Sequence, residues 1–356
     1  MDLTEHFDGF TARDWQVDVG GEPIRFAMVG LGWWTREEAI PAVAESEFCE
    51  TTVVVSSSTE KAERVAETAD AAAALTYEQF HDGEAAGEYD AVYVCTPNAT
   101  HLEYVRTAAD LGKDVLCEKP MEATAERARE LVETAEDAGI ELMIAYRMQT
   151  EPAVRRVRDL VRDGFVGDPV HVHSHMSDDL LEFIPDYDQW RLTPDLSGGT
   201  TMNDIGVYSL NTARFVLDAD PTAVYASVES VHEAFEGLDE HVAFQLEFPE
   251  AVTAACTASH NAHQSSELRV VGTEGQLLVD PLYHPWDDRE VVLERDGTRD
   301  RRTFAQVNQM EEEFDYFANH LQRDVDVHPD GRHGLVDIEA IEALYESAES
   351  GSRVSL

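Results

Sequence analysis

Three short stretches of this chain carry residues whose types and spacing suit chemistry. In "VGLGWWT", Gly30 and Gly32 follow an apolar run and precede a segment of helical character. Glycine there lets the chain turn tightly and brings backbone amides against a pyrophosphate with no Cβ in the way. The N-terminus of the next helix then aims its N–H groups at the anion. Leu31, Trp33 and Trp34 complete the loop, and Thr35 stands where a third glycine would finish GxGxxG. The second stretch, Ser56-Ser57-Ser58-Thr59-Glu60-Lys61, ends the next apolar run. NAD sites commonly hold an acid there for the ribose 2′-hydroxyl. Three hydroxyls and a lysine suit a 2′-phosphate instead, so NADP is expected over NAD, although a capped helix start with a solvated lysine would look the same. Lys61 gains weight because the chain has only three lysines, Lys61, Lys113 and Lys119. The third stretch holds His171, His173 and His175, which share one face of a strand and could ligate a metal. No recognisable metal motif accompanies them, and none is expected; a role toward a small molecule or a subunit contact suits them better.

The elements that must position these residues follow from the hydrophobic pattern. "IRFAMVGLG", "ETTVVVSSS", "YDAVYVCTP", "KDVLCEKP" and "IELMIAYR" read as buried strands. Helical segments are expected between them at Glu37–Ala44, Glu60–Ala74, Leu102–Leu111 and Ala123–Ala138. Strands alternating with helices predict a parallel sheet covered on both faces, an N-terminal Rossmann doubly wound fold. After a helix at Glu151–Arg162 the pattern changes to period-two strands, from "VHVHSHMS" to "REVVLER", with few helices. This predicts a C-terminal α+β domain with a large open, mostly antiparallel sheet. Helical character returns at Gln309–Gln322 and Leu335–Ser350. The expected organisation is an arm over 1–22, a Rossmann domain over 23–148, a substrate and oligomerisation domain over 149–332, and a terminal helix and tail over 333–356 that packs back on the Rossmann domain.

"CTPNATH", with Thr96, Pro97, Asn98 and His101, ends the third strand, and "CEKP", with Glu118 and Lys119, ends the fourth. Both therefore lie at the carboxyl edge, where ligands bind in such sheets. Together with GLG, SSSxxK, "AYRMQTEP", "DQWRL" and "SGGTTMNDIGVYSLN", they resemble the glucose-fructose oxidoreductase / inositol dehydrogenase (Gfo/Idh/MocA) family over about residues 23 to 350. The resemblance implies that Lys119 lies near the nicotinamide and that Asp204 and Tyr208, on one helix, complete the reacting site. It adds Arg147, Trp190 and Arg191 to the cofactor contacts, and His175 and Tyr283 to those on the substrate. Independently, Asp204 and Tyr208 stand at i and i+4, neighbours on one helical face, with Gly198 and Gly199 ahead of them. Tyrosine in place of the histidine common among relatives is similar to the sugar-oxidising glucose-fructose oxidoreductase branch and the dihydrodiol dehydrogenases.

The implied chemistry is hydride transfer from C1 of an aldose, D-xylose favoured, to the nicotinamide of NADP, giving an aldonolactone. The C1 hydroxyl must lose its proton to a base within hydrogen-bond reach. Tyr208 fills that role by resemblance, and an ammonium beside a phenol favours the phenolate, which makes Lys119 the assistant. Asp204 would orient the sugar. Another aldose such as glucose, or a trans-dihydrodiol, is the alternative substrate; an NADP-binding regulator of sugar metabolism is the non-enzyme alternative, disfavoured by the intact Lys, Asp and Tyr set.

Composition bounds the setting. At 356 residues two domains are expected. Twenty-six basic against seventy-two acidic residues leave a net charge of −46, which repels phosphate backbones and anionic lipids and argues against nucleic-acid or membrane partners. Acids spread along a lysine-poor chain suit a cytosol of multimolar salt, such as a haloarchaeal one. "MDLTEHFDGF" has neither the basic start nor the apolar stretch of a signal peptide, so a cytoplasmic protein is expected. Cys49, Cys95, Cys117 and Cys256 lack CxxC spacing and are expected to be buried free thiols. An open sheet with an uncovered face predicts a homodimer or homotetramer built sheet against sheet.

Overall fold

Both kinds of hydrophobic period persist in the computed structural model, which describes residues 2–18 and 20–356. Two residues of the expected arm, Met1 and Val19, lie outside the described residues. The chain divides into two units, one of Trp15–Arg147 with Asn308–Ile338, the other of Met1–Asp14, Met148–Val307 and Glu339–Leu356.

The first unit holds a six-stranded parallel sheet: β1 (Ile24–Val29), β2 (Cys49–Ser56), β3 (Ala73–Thr76), β4 (Ala91–Val94), β5 (Asp114–Glu118) and β6 (Leu142–Ala145), in the order β3-β2-β1-β4-β5-β6. Phe26, Ala27, Met28 and Val29 of β1 are fully buried, as a strand covered on both faces requires. The expected helix Glu60–Ala74 is shorter. It runs Thr59–Ala69 and stops at Asp70, whose φ of 53° is left-handed. Residues 73–76 instead pair with Val53–Ser56, so strand pairing overrides the helix propensity of an alanine-rich segment. The helix Gln309–Arg323 belongs to this unit because Phe314 meets Phe26 edge to face and Phe317 packs against it at a tilt, with centroids 5.1 and 6.1 Å away.

The second unit holds a nine-stranded sheet: β7 (Pro169–Asp179), β8 (Ala223–Glu229), β9 (His241–Glu247), β10 (Thr253–Ser259), β11 (Asn261–Gly272), β12 (Gly275–Asp280), β13 (Arg289–Arg295), β14 (Thr298–Phe304) and β15 (Val354–Ser355). Its order is β14-β13-β12-β11-β7-β10-β9-β8-β15, antiparallel except for β7 with β10. Alternation is clean in β9, where Val242, Phe244 and Leu246 are buried and Ala243 and Gln245 exposed. The inner face is covered by the helix Val207–Leu217, which lies on β7 and β10 and packs against the helix Pro152–Arg162. β14 escapes sequence reading because "TRDRRTF" alternates charge with charge; its pairing with β13 defines it. The helix and tail expected on the Rossmann domain over 333–356 divide: the start of the helix Gly331–Ser350 lies against that unit, where a Cβ at Gly334 would meet Ile144, whereas Val354 and Ser355 pair with Val224 and Ala223 and residues 339–356 belong to the second unit.

All four cysteines are free thiols, three buried and Cys95 half-buried. No helix among the described residues is long and apolar enough to cross a membrane.

Candidate active site

In the Rossmann unit the turn after β1 is shaped by Gly30. Its φ is +94°, and a Cβ there would stand 2.1 Å from the Cys95 carbonyl oxygen. Only glycine lets β1 and the end of β4 approach so closely. Gly32 differs, since a Cβ there would meet nothing within 4 Å; its surroundings are open, as the approach of a pyrophosphate needs. Thr35, which replaces the third glycine, has a use of its own: its buried hydroxyl donates to the Gly30 carbonyl at 2.6 Å. It opens a π-helical turn, Thr35–Ala39, ahead of the helix Ile40–Glu45, an arrangement common at functional sites. Leu31 is buried, while the Trp33 indole beside the turn is 40% exposed. Trp34 lies under the Arg147 guanidinium, 5.4 Å from its carbon to the ring centroid, and Arg147 in turn bonds the Gln309 side chain.

At the end of β2 the Ser58 hydroxyl accepts from the Lys61 backbone N–H at 3.2 Å and caps the helix Thr59–Ala69. The capped start and the phosphate-type donor set are therefore compatible, because a hydroxyl that accepts at a cap keeps its own proton to donate. Ser56 is buried and accepts from the Ser58 N–H, whereas Ser57 is exposed. The residues present fit an NADP on these grounds: open space at Gly32, hydroxyl donors at Ser57 and Ser58, and a cation at Lys61.

The edges of β4 and β5 are tied together. His101 is fully buried, with Nε2 2.9 Å from the Thr96 carbonyl and Nδ1 3.2 Å from the Met121 carbonyl. It acts as a strut under the loop, tying the Thr96 and Met121 carbonyls together. Asn98 is likewise buried; Pro97 precedes it, and its carbonyl accepts from the Thr100 hydroxyl. Glu118 is held on one oxygen by the Tyr93 hydroxyl at 2.7 Å and on the other by the Lys119 N–H at 3.1 Å. The Lys119–Pro120 bond is cis. Beneath them the Glu313 carboxyl is fully buried; burial first, then the charge of Glu118, hold it well above the usual carboxylate range, with Arg147 and Lys119 acting the other way. Glu313 has no signal in the sequence beyond a place in an acidic helix start.

In the second unit Asp204 falls within a π-helical turn, Met202–Gly206, that runs into the helix Val207–Leu217 carrying Tyr208. The start of this segment is anchored by Asp239, which accepts from the Thr200 and Met202 N–H groups at 2.6 and 2.5 Å. Gly199 is required there, since a Cβ would stand 2.0 Å from the Tyr345 hydroxyl. Tyr208 is buried, its ring 5.6 Å from that of Tyr283. Tyr283 itself is fully buried and shares a hydrogen bond with Ser174, whose hydroxyl also meets Ser209. Arg191 stacks on Trp190 at 4.5 Å and donates through Nε to Asp204 Oδ2 at 2.7 Å. His260, which belongs to none of the motifs above, lies 3.3 Å from the same oxygen.

The structure does not bring His175 to this group. Along β7, Ser174 faces Ser209 and Tyr283, so the pleat turns His175 to the opposite face, where Nε2 meets Ser265 Oγ at 2.8 Å. His171 and His173 share that outer face, their rings 6.1 Å apart. Among the described residues no three His, Cys, Asp or Glu side chains are grouped to hold a metal.

Comparison with known proteins accords with this geometry. Residues 24–146 match the oxidoreductase family with an NAD-binding Rossmann fold, and residues 154–278 match the GFO/IDH/MocA C-terminal domain. The chain is 55% identical over 351 residues to the D-xylose 1-dehydrogenase [NADP(+)] of Haloarcula marismortui, covering 98% of both chains. It is 32% identical to D-xylose 1-dehydrogenase (NADP(+)) 2 of Haloferax volcanii, over 93% of this chain and 99% of that one. Among solved structures, the aldose-aldose oxidoreductase of Caulobacter crescentus, complexed with glycerol, superposes with a TM-score of 0.88 at 30% identity, over 94% of this chain and all of that one. With both domains matched in order and relatives this similar along nearly the whole chain, the protein belongs to the Gfo/Idh/MocA family of oxidoreductases.

Proposed function

We propose that this protein oxidises an aldose at C1 to the aldonolactone with NADP, and that D-xylose is its substrate. The observation that carries the reading is the 55% identity, over 98% of both chains, with a D-xylose 1-dehydrogenase [NADP(+)]. Bound NADP supplies the hydride acceptor. The chain's own residues do the rest. Tyr208 takes the C1 hydroxyl proton as the C–H bond breaks, Lys119 supplies the positive charge that favours the phenolate, and Asp204 accepts from a sugar hydroxyl and orients the ring. Ser57, Ser58 and Lys61 receive the 2′-phosphate, and Gly32 leaves room for the pyrophosphate. The products are a lactone, the reduced cofactor and one proton, so the reaction balances.

The setting belongs to the same proposal. The −46 charge suits a cytoplasm of multimolar salt. The outer face of the nine-stranded sheet carries small and aromatic residues such as Ala243, Ala255 and the 43%-exposed Tyr225, which favours a homodimer or homotetramer closed sheet on sheet. The test is a panel of aldoses and a trans-dihydrodiol, with NADP and NAD, in multimolar KCl, following absorbance of the reduced cofactor. D-xylose with NADP is expected to give the highest kcat/KM. A chain that reduces NADP with no aldose overturns the reading, and one that prefers the dihydrodiol replaces its substrate.

A further inference from the structure

His260 is the single residue between β10, which ends at Ser259, and β11, which begins at Asn261. Those strands flank β7 on its two sides, with Ser259 paired to Ser177 and Asn261 to Asp179. The link therefore crosses the end of β7 at Asp178. The crossing buries the imidazole and sets Nδ1 2.6 Å from Asp178 Oδ1 and Nε2 3.3 Å from Asp204 Oδ2. Nδ1 is hydrogen-bonded to Asp178, whereas Nε2 stands at ion-pair distance from Asp204 without hydrogen-bond alignment, and two carboxylates beside one ring favour its charged form. Burial opposes that charge, but Asp178 first and then Asp204 outweigh it and raise the group to about 9.

The other charged groups around the ring are accounted for. Arg191 donates to the same Asp204 oxygen that His260 faces. Glu240, at the edge of β9, accepts the His260 N–H through its backbone carbonyl. Its carboxylate is committed to the N–H groups of Val231 and His232 and to the Asn261 side chain. Two carboxylates are thus balanced by one guanidinium and one imidazolium. Two cations converge on Asp204 Oδ2, and the carboxylate cannot rotate without leaving both.

We propose that His260 is a positioning residue: held as an imidazolium between Asp178 and Asp204, it fixes the Asp204 carboxylate, ionised and in one orientation, ahead of the helix that carries Tyr208. The proposal rests on the reading of Asp204 as the group that orients the substrate. Asp178 acts through His260 in turn, which makes a chain of Asp178, His260 and Asp204 drawn from three separate parts of the sequence.

The test combines His260→Gln, Asp178→Asn, Asp204→Asn and the double variant of His260 and Asp204, all in multimolar KCl. His260→Gln keeps a polar side chain of similar reach and removes the charge, and NADPH binding followed by fluorescence checks that each variant is folded. His260→Gln is expected to raise KM for the best substrate and lower kcat, together about 10- to 100-fold in kcat/KM. In the Asp204→Asn background the same change is expected to have almost no further effect, since both act through one carboxylate. Multiplying effects in the double variant, or a His260→Gln enzyme with wild-type kinetics, overturns the proposal.

A second arm needs no turnover. Proton NMR of the wild type is expected to show both ring N–H resonances of His260, identified by their loss in His260→Gln, persisting to about pH 9. Asp204→Asn is expected to abolish the Nε2 one first. A His260 ring that is neutral at pH 7 overturns the proposal. If the NMR result holds while no aldose is oxidised, the proposed function has failed and the coupling stands.

Discussion

The Rossmann unit and the sheet-rich unit fix their candidate groups by different means. In the first, devices that act on the backbone do the positioning: Gly30 admits the Cys95 carbonyl, the Ser58 hydroxyl caps a helix, and the His101 ring braces two strand ends through their carbonyls. In the second, side chains from distant positions converge on one carboxylate, with Asp204 met by Arg191 and His260, and His260 by Asp178. Backbone devices leave local signatures in sequence, because only certain residues adopt the geometry. Convergence of side chains leaves none, because it depends on the pairing of strands 80 or so positions apart.

Four measurements sharpen this contrast. The largest effect is expected at Tyr208→Phe, which keeps the ring and removes the proposed base; kcat is expected to fall by about 10²–10⁴ with NADPH affinity unchanged in a fluorescence titration. A variant keeping a third of wild-type turnover shows that the proton leaves by another route.

Next come the two glycines of one turn, which are expected to fail differently. Gly30→Ala forces a Cβ into a carbonyl at a left-handed φ and is expected to cost more than about 3 kcal/mol of stability, seen in urea unfolding in KCl. Gly32→Ala is expected to change stability by no more than about 0.5 kcal/mol while weakening NADPH binding, because its Cβ fills only open space. Equal destabilisation would show that the second glycine serves the fold and not a ligand.

The side-chain cluster has its own signature in pH. The imidazole of His260 is raised from 6.5 to about 9 in the folded protein. Folding then takes up a proton, so the stability it contributes is full below the unfolded value and is lost as pH rises through the folded one. The wild type is expected to exceed His260→Gln by an order of 2–3 kcal/mol at pH 6, with the gap closing by pH 10 in parallel urea titrations. A gap that is constant over that range contradicts the charged assignment. The smallest effect is at Lys61, where Ala is expected to lower the preference for NADP over NAD by about tenfold, some 1.4 kcal/mol, in kcat/KM ratios.

The parallel and antiparallel sheets and the glycine turn are legible in the sequence because they rest on local periodicity or spacing, whereas the segment bearing Asp204 and Tyr208 is legible through the family resemblance, with their i, i+4 spacing in its support. Composition extends the helix after β2 through residues 70–74, because alanine propensity says nothing of a partner strand at Val53–Ser56. The resemblance puts His175 toward the substrate, and the sequence offers no check, because three histidines at period two show which residues share a face but not which face is inward. His260 stood in plain view as one histidine among fourteen. Only the strand pairings that bring its link across β7 distinguish it.

The divided make-up of the Rossmann unit has a consequence for the order in which it is built. Its six strands are all translated by Ala145, yet Phe314 and Phe317, whose rings close over Phe26, and Phe314 again over Tyr93, lie on the helix Gln309–Arg323. At about 5–20 residues per second of synthesis, the uncovered sheet waits on the order of ten to forty seconds for that helix, while residues 148–307 of the sheet-rich unit are made. A ribosome stalled before residue 309 holds a sheet without its aromatic cover, and exposed apolar surface of that kind is prone to misassociation. The domain that comes first in the gene is finished nearly last.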